Sequence, residues 1–162
     1  MAKEIGVLFV CMGNICRSPT AEAVFTQLIV DAKLDDQIHC DSAGTYDFHP
    51  GRQPDPRSRT AAGRRGYDLD HLQARVVHEQ DFEQFNHILA MDRDNYEDLR
   101  VRCPAEHLHK VELFLTYASG VDEDEVPDPY VGGAEGFDLV LDMIEVGARG
   151  LADHLRNRLD HN

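Results

Sequence analysis

The 162-residue sequence predicts an α/β fold: a single three-layer domain, residues 1–162, with a four-stranded parallel sheet flanked by helices on both faces. Three observations carry that expectation. Short apolar runs alternate with longer stretches of helical periodicity, the pattern of right-handed βαβ crossovers. The first run, Ile-Gly-Val-Leu-Phe-Val at residues 5–10, is continuous rather than alternating, which means burial on both faces, as in a parallel sheet. No internal repeat or linker interrupts a chain whose length suits one hydrophobic core.

The elements follow in order. Residues 5–10 are the first strand. Ser18-Pro19 then opens a helix, with Ser at the N-cap and Pro at the first helical position, and Ala21, Val24, Phe25, Leu28 and Ile29 continue it at helical spacing. Residues 38–40 make a second strand that runs out at Asp41-Ser42-Ala43-Gly44. Gly51 with Pro50, Pro54 and Pro56 makes residues 45–56 a loop, and a helix follows from Pro56, breaking at Gly63 or Gly66. Residues 87–91 (His-Ile-Leu-Ala-Met) are the third strand, and a helix begins at Asp92 and reaches Arg102. Residues 110–115 supply the fourth strand, and residues 120–129 an acidic loop carrying proline. From Ala134 onward, Phe137, Val140, Leu141, Ile144, Ala148, Leu151 and Leu155 form the clearest amphipathic stripe in the chain.

Composition narrows function by exclusion. Sixteen Lys and Arg stand against 30 Asp and Glu, a net charge of −14, which argues against nucleic acid or an anionic membrane as partner. No apolar stretch reaches bilayer length, and the N-terminal run is too short for a signal segment. Cys11, Cys16, Cys40 and Cys103 show no Cys-x2-Cys spacing and no nearby His pair, so no zinc site is expected, and a reducing cytoplasm is the default compartment. In that compartment the question about a cysteine is its reactivity.

Reactivity points to Cys11-Met12-Gly13-Asn14-Ile15-Cys16-Arg17-Ser18, placed between the first strand and a helix start. Amides from Met12, Gly13, Asn14, Ile15 and Cys16 can curl around a tetrahedral oxyanion, with a helix N-terminus aimed at it. Gly13 and Asn14 are the residue types that reach left-handed backbone at low cost, which such a curl requires. The same donors favour a thiolate at Cys11, the form that attacks phosphorus. Arg17 offers a planar fork for two phosphate oxygens, and the Ser18 hydroxyl can donate to the sulfur. Attack on a phosphate ester also needs an acid for the leaving oxygen. Asp128-Pro129, by itself, reads as a turn starter. Cys16, five residues from Cys11, is either a buried packing thiol or a disulfide partner that shields the nucleophile. Arg57, Arg59, Arg64 and Arg65 read as the solvated face of a helix, and Glu123, Asp124 and Glu125 as a solvated loop.

Val10-Cys11-x-Gly13-Asn14-Ile15-Cys16-Arg17-Ser18-Pro19-x-Ala21-Glu22 resembles the low-molecular-weight protein tyrosine phosphatases. The resemblance extends nearly end to end, through Asp41 to Thr45, Asp55-Pro56-Arg57, His71 to Arg75, Ala90-Met91-Asp92 and Asp128-Pro129-Tyr130. It implies the same four-stranded parallel sheet and hydrolysis of phosphotyrosine and other aryl monoesters through a cysteinyl-phosphate, with no metal and no organic cofactor. It implies Asp128 as general acid and then base. Asn14, Ser42 and His71 would form a network holding the loop's left-handed turn, and Asp92 would hold Arg17 or the loop end. Phe48, where many members carry Trp, and Tyr130 would wall the slot for the aryl ring. Val131 stands where the animal enzymes have a second Tyr. The implied partners are a phosphotyrosine-containing protein as substrate and inorganic phosphate or other oxyanions as inhibitors. Arsenate reductases share the loop but relay electrons through further cysteines, and this chain has none between Cys40 and Cys103. Phosphoarginine phosphatases carry Thr where Ile15 stands, so Ile15 favours an aromatic ester.

Overall fold

The computed structural model describes residues 4–47, 49–130 and 132–161. Its four strands are β1 (Ile5–Cys11), β2 (Ile38–Gly44), β3 (His87–Ala90) and β4 (Val111–Leu113). Five helices connect and follow them: α1 (Arg17–Asp31), α2 (Pro56–Gly63), α3 (Glu79–Gln84), α4 (Arg93–Arg102) and α5 (Ala134–Asp160). The strands pair in the order β2-β1-β3-β4, all parallel, with Ile5 opposite Ile38, Val7 opposite His87 and Ile88 opposite Val111.

The continuous apolar run of β1 has the expected cause. Val7, Phe9 and Cys11 join the core built with α1 and α5, whereas Leu8 and Val10 join a second core with Phe82 of α3 and Leu99 of α4. All seven β1 residues are buried, so the alternation of a strand is present in direction but invisible in polarity. On the first face the Phe9 ring meets Phe25 and Phe114 edge-on, with centroids 5.6 and 5.4 Å away. Burying each of these rings contributes roughly 1.5–3 kcal/mol. α5 lays Phe137, Val140, Leu141, Ile144, Ala148, Leu151 and Leu155 on that core, the stripe its periodicity predicts.

Several boundaries differ from expectation for local reasons. α1 begins at Arg17 with Cys16 at its N-cap, because the Thr20 amide and hydroxyl both reach the Cys16 carbonyl, at 3.4 and 2.7 Å. Ser18 is therefore inside the helix and caps nothing. β2 continues to Gly44, and β4 is cut to three residues by the 3-10 turn Phe114–Tyr117, while α2 stops at Gly63, one of its two expected breaks. α3 was not expected; its Asp81 is tied to Arg75 and to the His78 amide, neither of which shows as periodicity.

The strand order places a switch point between β1 and β3. Chain leaves β1 toward β2 on one side, and β3 occupies the other, so the loops beyond their C-terminal ends diverge and open a crevice. Cys11 ends β1 on one side of it, and Asp92 follows β3 on the other. Among the described residues no helix is long and apolar enough to cross a membrane.

Candidate active site

The loop after β1 is shaped by Asn14. Its φ is +57°, the left-handed conformation that a short polar side chain tolerates, and Gly13, expected to share it, does not. The Asn14 side chain holds that turn from three directions. Oδ1 accepts from the Arg75 amide at 3.0 Å, and Nδ2 donates to Ser18 Oγ at 2.8 Å and to Ser42 Oγ at 3.0 Å. Ser42 in turn donates to Glu22 Oε1 at 2.7 Å, and Ser18 Oγ lies 3.0 Å from Cys11 Sγ. Five side chains thus run in one chain from a carboxylate to the thiol.

His71 is not among them. Its ring stands 3.9 Å from Asp68, and its side chain is 69% exposed. The places near Asn14 and Ser42 belong instead to the Arg75 backbone and to Glu22. Glu22 carried a sequence signal: it sits four residues after Ser18, on the same face of α1. Gly44 is a second residue that sequence reasoning missed. A Cβ there would lie 2.7 Å from the Met12 carbonyl oxygen and 3.2 Å from the Asn14 nitrogen, so only glycine lets the end of β2 press against the loop.

The loop carbonyls are occupied from outside. The amides of Thr45, Tyr46 and Asp55 donate to the carbonyls of Cys11, Met12 and Ile15, at 2.9, 3.0 and 2.8 Å. Because a trans peptide points its C=O and the following N–H in opposite directions, these bonds turn the Gly13 and Cys16 amides inward. Among the described residues, the amides of residues 13–17 meet no protein acceptor.

Arg17 is 1% exposed. Its Nη1 donates to Asp92 Oδ2 at 2.6 Å and to the Val126 carbonyl at 2.9 Å, and its Nη2 lies 3.8 Å from Asp128 Oδ2. Asp92 serves two elements at once, since its Oδ1 caps α4 by accepting from the Asn95 amide at 2.8 Å. Burial pulls the Arg17 guanidinium down, but Cys11, Asp92 and Asp128 around it outweigh burial and hold it above its ordinary value. Cys16 has the opposite surroundings. Burial first, then the Asp55 carboxylate, push its thiol up to about 12, so it stays protonated beside its neighbour.

Asp128 Oδ1 accepts from the Tyr130 amide at 3.0 Å, which leaves Oδ2 turned toward Arg17. These groups line a cleft of about 190 Å³ formed by Cys11, Met12, Gly13, Ile15, Cys16, Arg17, His49, Asp128 and Tyr130. Cys11, Arg17, Asp128 and Tyr130 therefore meet as expected, and His49 is an addition. Phe48 and Val131 lie outside the described residues. Among the described residues, no three His, Cys, Asp or Glu side chains gather as metal ligands. The arrangement can bind a tetrahedral oxyanion against amides and one arginine, with a thiol on one side and a carboxyl group on the other.

Residues 6–161 match the family model for low molecular weight phosphotyrosine protein phosphatase. A low molecular weight protein-tyrosine-phosphatase of Streptomyces coelicolor is 41% identical over 158 residues, 95% of each chain. A low molecular weight phosphotyrosine protein phosphatase of Schizosaccharomyces pombe is 42% identical over 147 residues, covering 90% of this chain and 94% of its own. A crystal structure of a protein tyrosine phosphatase from Entamoeba histolytica, with Hepes in the active site, superposes with a TM-score of 0.92. It is 42% identical and covers 95% of this chain and 98% of its own.

Proposed function

The chain belongs to the low molecular weight phosphotyrosine protein phosphatase family, and we propose that Cys11, Arg17 and Asp128 carry out its hydrolysis of protein phosphotyrosine. The observation that supports this most directly is the enclosed Arg17, held between Asp92 and Val126 in the same cleft as the Cys11 thiol and the Asp128 carboxyl. The phosphoryl group binds the inward amides of the loop and Arg17, and the ring lies against Tyr130. The Cys11 thiolate attacks phosphorus in line. As the S–P bond forms, the P–O bond to the ring breaks, and Asp128 gives its proton to the departing phenolic oxygen. In the second half Asp128 takes a proton from water attacking the same phosphorus. The S–P bond breaks, Ser18 donates to the sulfur that leaves, and inorganic phosphate is released. Met12, Gly13, Asn14, Ile15 and Cys16 contribute backbone, and Asn14, Ser42 and Asp92 hold the loop and Arg17 in place.

Residues 1–162 act in this reading as one domain in the cytoplasm, with a phosphotyrosine-containing protein as substrate. Inorganic phosphate and similar oxyanions compete for the cradle; nucleic acid and membrane have no part. The test is turnover of an aryl phosphate. Cys11→Ser abolishes it, and Asp128→Ala lowers it by ~10²-fold or more, in the range of a lost general acid. Undiminished turnover in Cys11→Ser would sink the mechanism. Phosphate released faster from phosphoarginine than from phosphotyrosine would overturn the substrate assignment.

A further inference from the structure

Arg57 lies outside the cleft, yet its guanidinium joins the two loops that must meet over the phosphate. On one side it grips Asp55, the N-cap of α2. Asp55 Oδ1 accepts from the Arg57 amide at 2.8 Å and from Nε at 3.1 Å, and Oδ2 accepts from Nη2 at 3.0 Å. Asp55 is 8% exposed, and its own amide donates to the Ile15 carbonyl at 2.8 Å, so this carboxylate is fastened to the phosphate loop. On the other side Nη2 donates to the Tyr130 carbonyl at 2.8 Å and Nη1 to the Gly132 carbonyl at 3.5 Å. The guanidinium also stacks near the rings of Phe137 and Tyr130, 4.7 and 5.5 Å from their centroids. Arg57 is exposed on α2, as expected of a helix face, with 42% of its side chain accessible, but its guanidinium is bonded to both loops rather than to solvent alone.

Tyr130 is the link to chemistry. Its carbonyl is held by Arg57, while its amide donates to Asp128 Oδ1 at 3.0 Å. We propose that Arg57 is a positioning residue for the acid: from a carboxylate anchored on the phosphate loop, it holds the 128–130 turn so that Asp128 Oδ2 faces Arg17 and the departing oxygen. The planar fork is what allows this, because one guanidinium serves a carboxylate and a carbonyl in fixed directions, and a lysine ammonium does not. The proposal rests on the reading of Asp128 as general acid.

The consequence is a dependence on the leaving group. When the P–O bond breaks, a poor leaving group needs the Asp128 proton, whereas a strongly acidic nitrophenol departs as its anion without it. The experiment measures kcat/KM for a phosphotyrosine peptide and for the phosphate ester of a strongly acidic nitrophenol. It uses wild type, Arg57→Gln, Arg57→Lys, Asp128→Asn and Arg57→Gln combined with Asp128→Asn. Arg57→Gln is expected to lower kcat/KM for the peptide by ~10- to 100-fold and for the nitrophenyl ester by less than ~3-fold, part of the general-acid contribution. Inhibition by inorganic phosphate stays as in wild type, and in the Asp128→Asn background the change at Arg57 adds nothing. Arg57→Lys shifts the ratio of the two substrates in the same direction. That ratio is read within one variant, so it remains decisive if Arg57→Gln folds poorly. An equal loss on both esters, no loss on either, or a further loss on the peptide in the Asp128→Asn background would overturn the proposal. If Asp128→Asn itself spared the peptide, the acid assignment would fall instead.

Discussion

Glu22 closes the hydrogen-bond chain that begins at Cys11, and its own charge can change near neutral pH. Burial first and Asp41 second raise its carboxyl from 4.5 to about 7, against the lowering pull of the Ser42 hydroxyl and Arg75. Tyr67, Asp68 and His71 border the same surface cleft. A carboxyl whose folded value is raised keeps its proton in the native state between about 4.5 and 7, while the unfolded chain releases it. Its stabilisation is complete below that window and is lost as pH rises through about 7. Glu22→Gln keeps an acceptor for Ser42 and removes the titration. Urea unfolding should then show the variant gaining ~1–2 kcal/mol over wild type at pH 8, and less at pH 5. A difference that does not grow across that interval would place the titration elsewhere. Cys11 and Arg17 were legible at this scale because they stand in a tight local pattern, whereas Asp128, in a dipeptide that commonly starts a turn, was legible only through the family resemblance. His71 was not, because spacing cannot say which of residues 71–75 turns inward. Leu69 is buried and anchors a turn in which the Leu72 amide bonds the Leu69 carbonyl, so the His71 ring faces solvent and the Arg75 amide reaches Asn14 instead.

α5 meets the 3-10 turn Phe114–Tyr117 at closer range than any side chain allows. A Cβ on Gly150 would stand 1.8 Å from the Tyr117 carbonyl oxygen, and one on Gly147 would stand 2.8 Å from the Phe114 ring. Gly150→Ala, which would stabilise an exposed helix, must here lift α5 off the turn, at an expected cost of ~3 kcal/mol. At Gly63, the end of α2, an added Cβ meets nothing within 4 Å. The same substitution there should gain ~0.5–1 kcal/mol. Thermal unfolding of the two variants decides the matter; shifts of the same sign would refute this account of the contact. α5 and β1 were legible in advance because long periodic or continuous burial imprints itself on composition. α3 and the end of β4 left no such print. α3 is six residues held by side chains outside it, Arg75 in an ion pair with Asp81 and the Lys110 ammonium on the Phe82 carbonyl at 2.7 Å. β4 ends where Phe114 turns into the core. The Ser18 cap failed for a related reason: its hydroxyl is taken up by Cys11 and Asn14 rather than by the first turn of α1.

Over the whole molecule the net charge is −14, yet a phosphotyrosine phosphatase acts on an anionic group. The two facts are compatible because Arg17 and the loop amides act at contact distance, while dispersed surface carboxylates are screened beyond ~8–10 Å at physiological salt. Their effect falls on encounter. For an acidic phosphopeptide, kcat/KM should rise ~2- to 5-fold between low and physiological salt as repulsion is screened. A fall with added salt would mean that a local basic surface guides the peptide. Arg17 also sets when the molecule becomes a catalyst at all. Its guanidinium is enclosed by Asp92 and Val126, which follow it by 75 and 109 residues. Synthesis delivers the nucleophile loop long before those partners, and a buried arginine lacking them is an uncompensated interior charge, at several kcal/mol. The phosphate cradle therefore cannot close until both partners have been made: a loop synthesised early waits for segments 75 and 109 residues behind it.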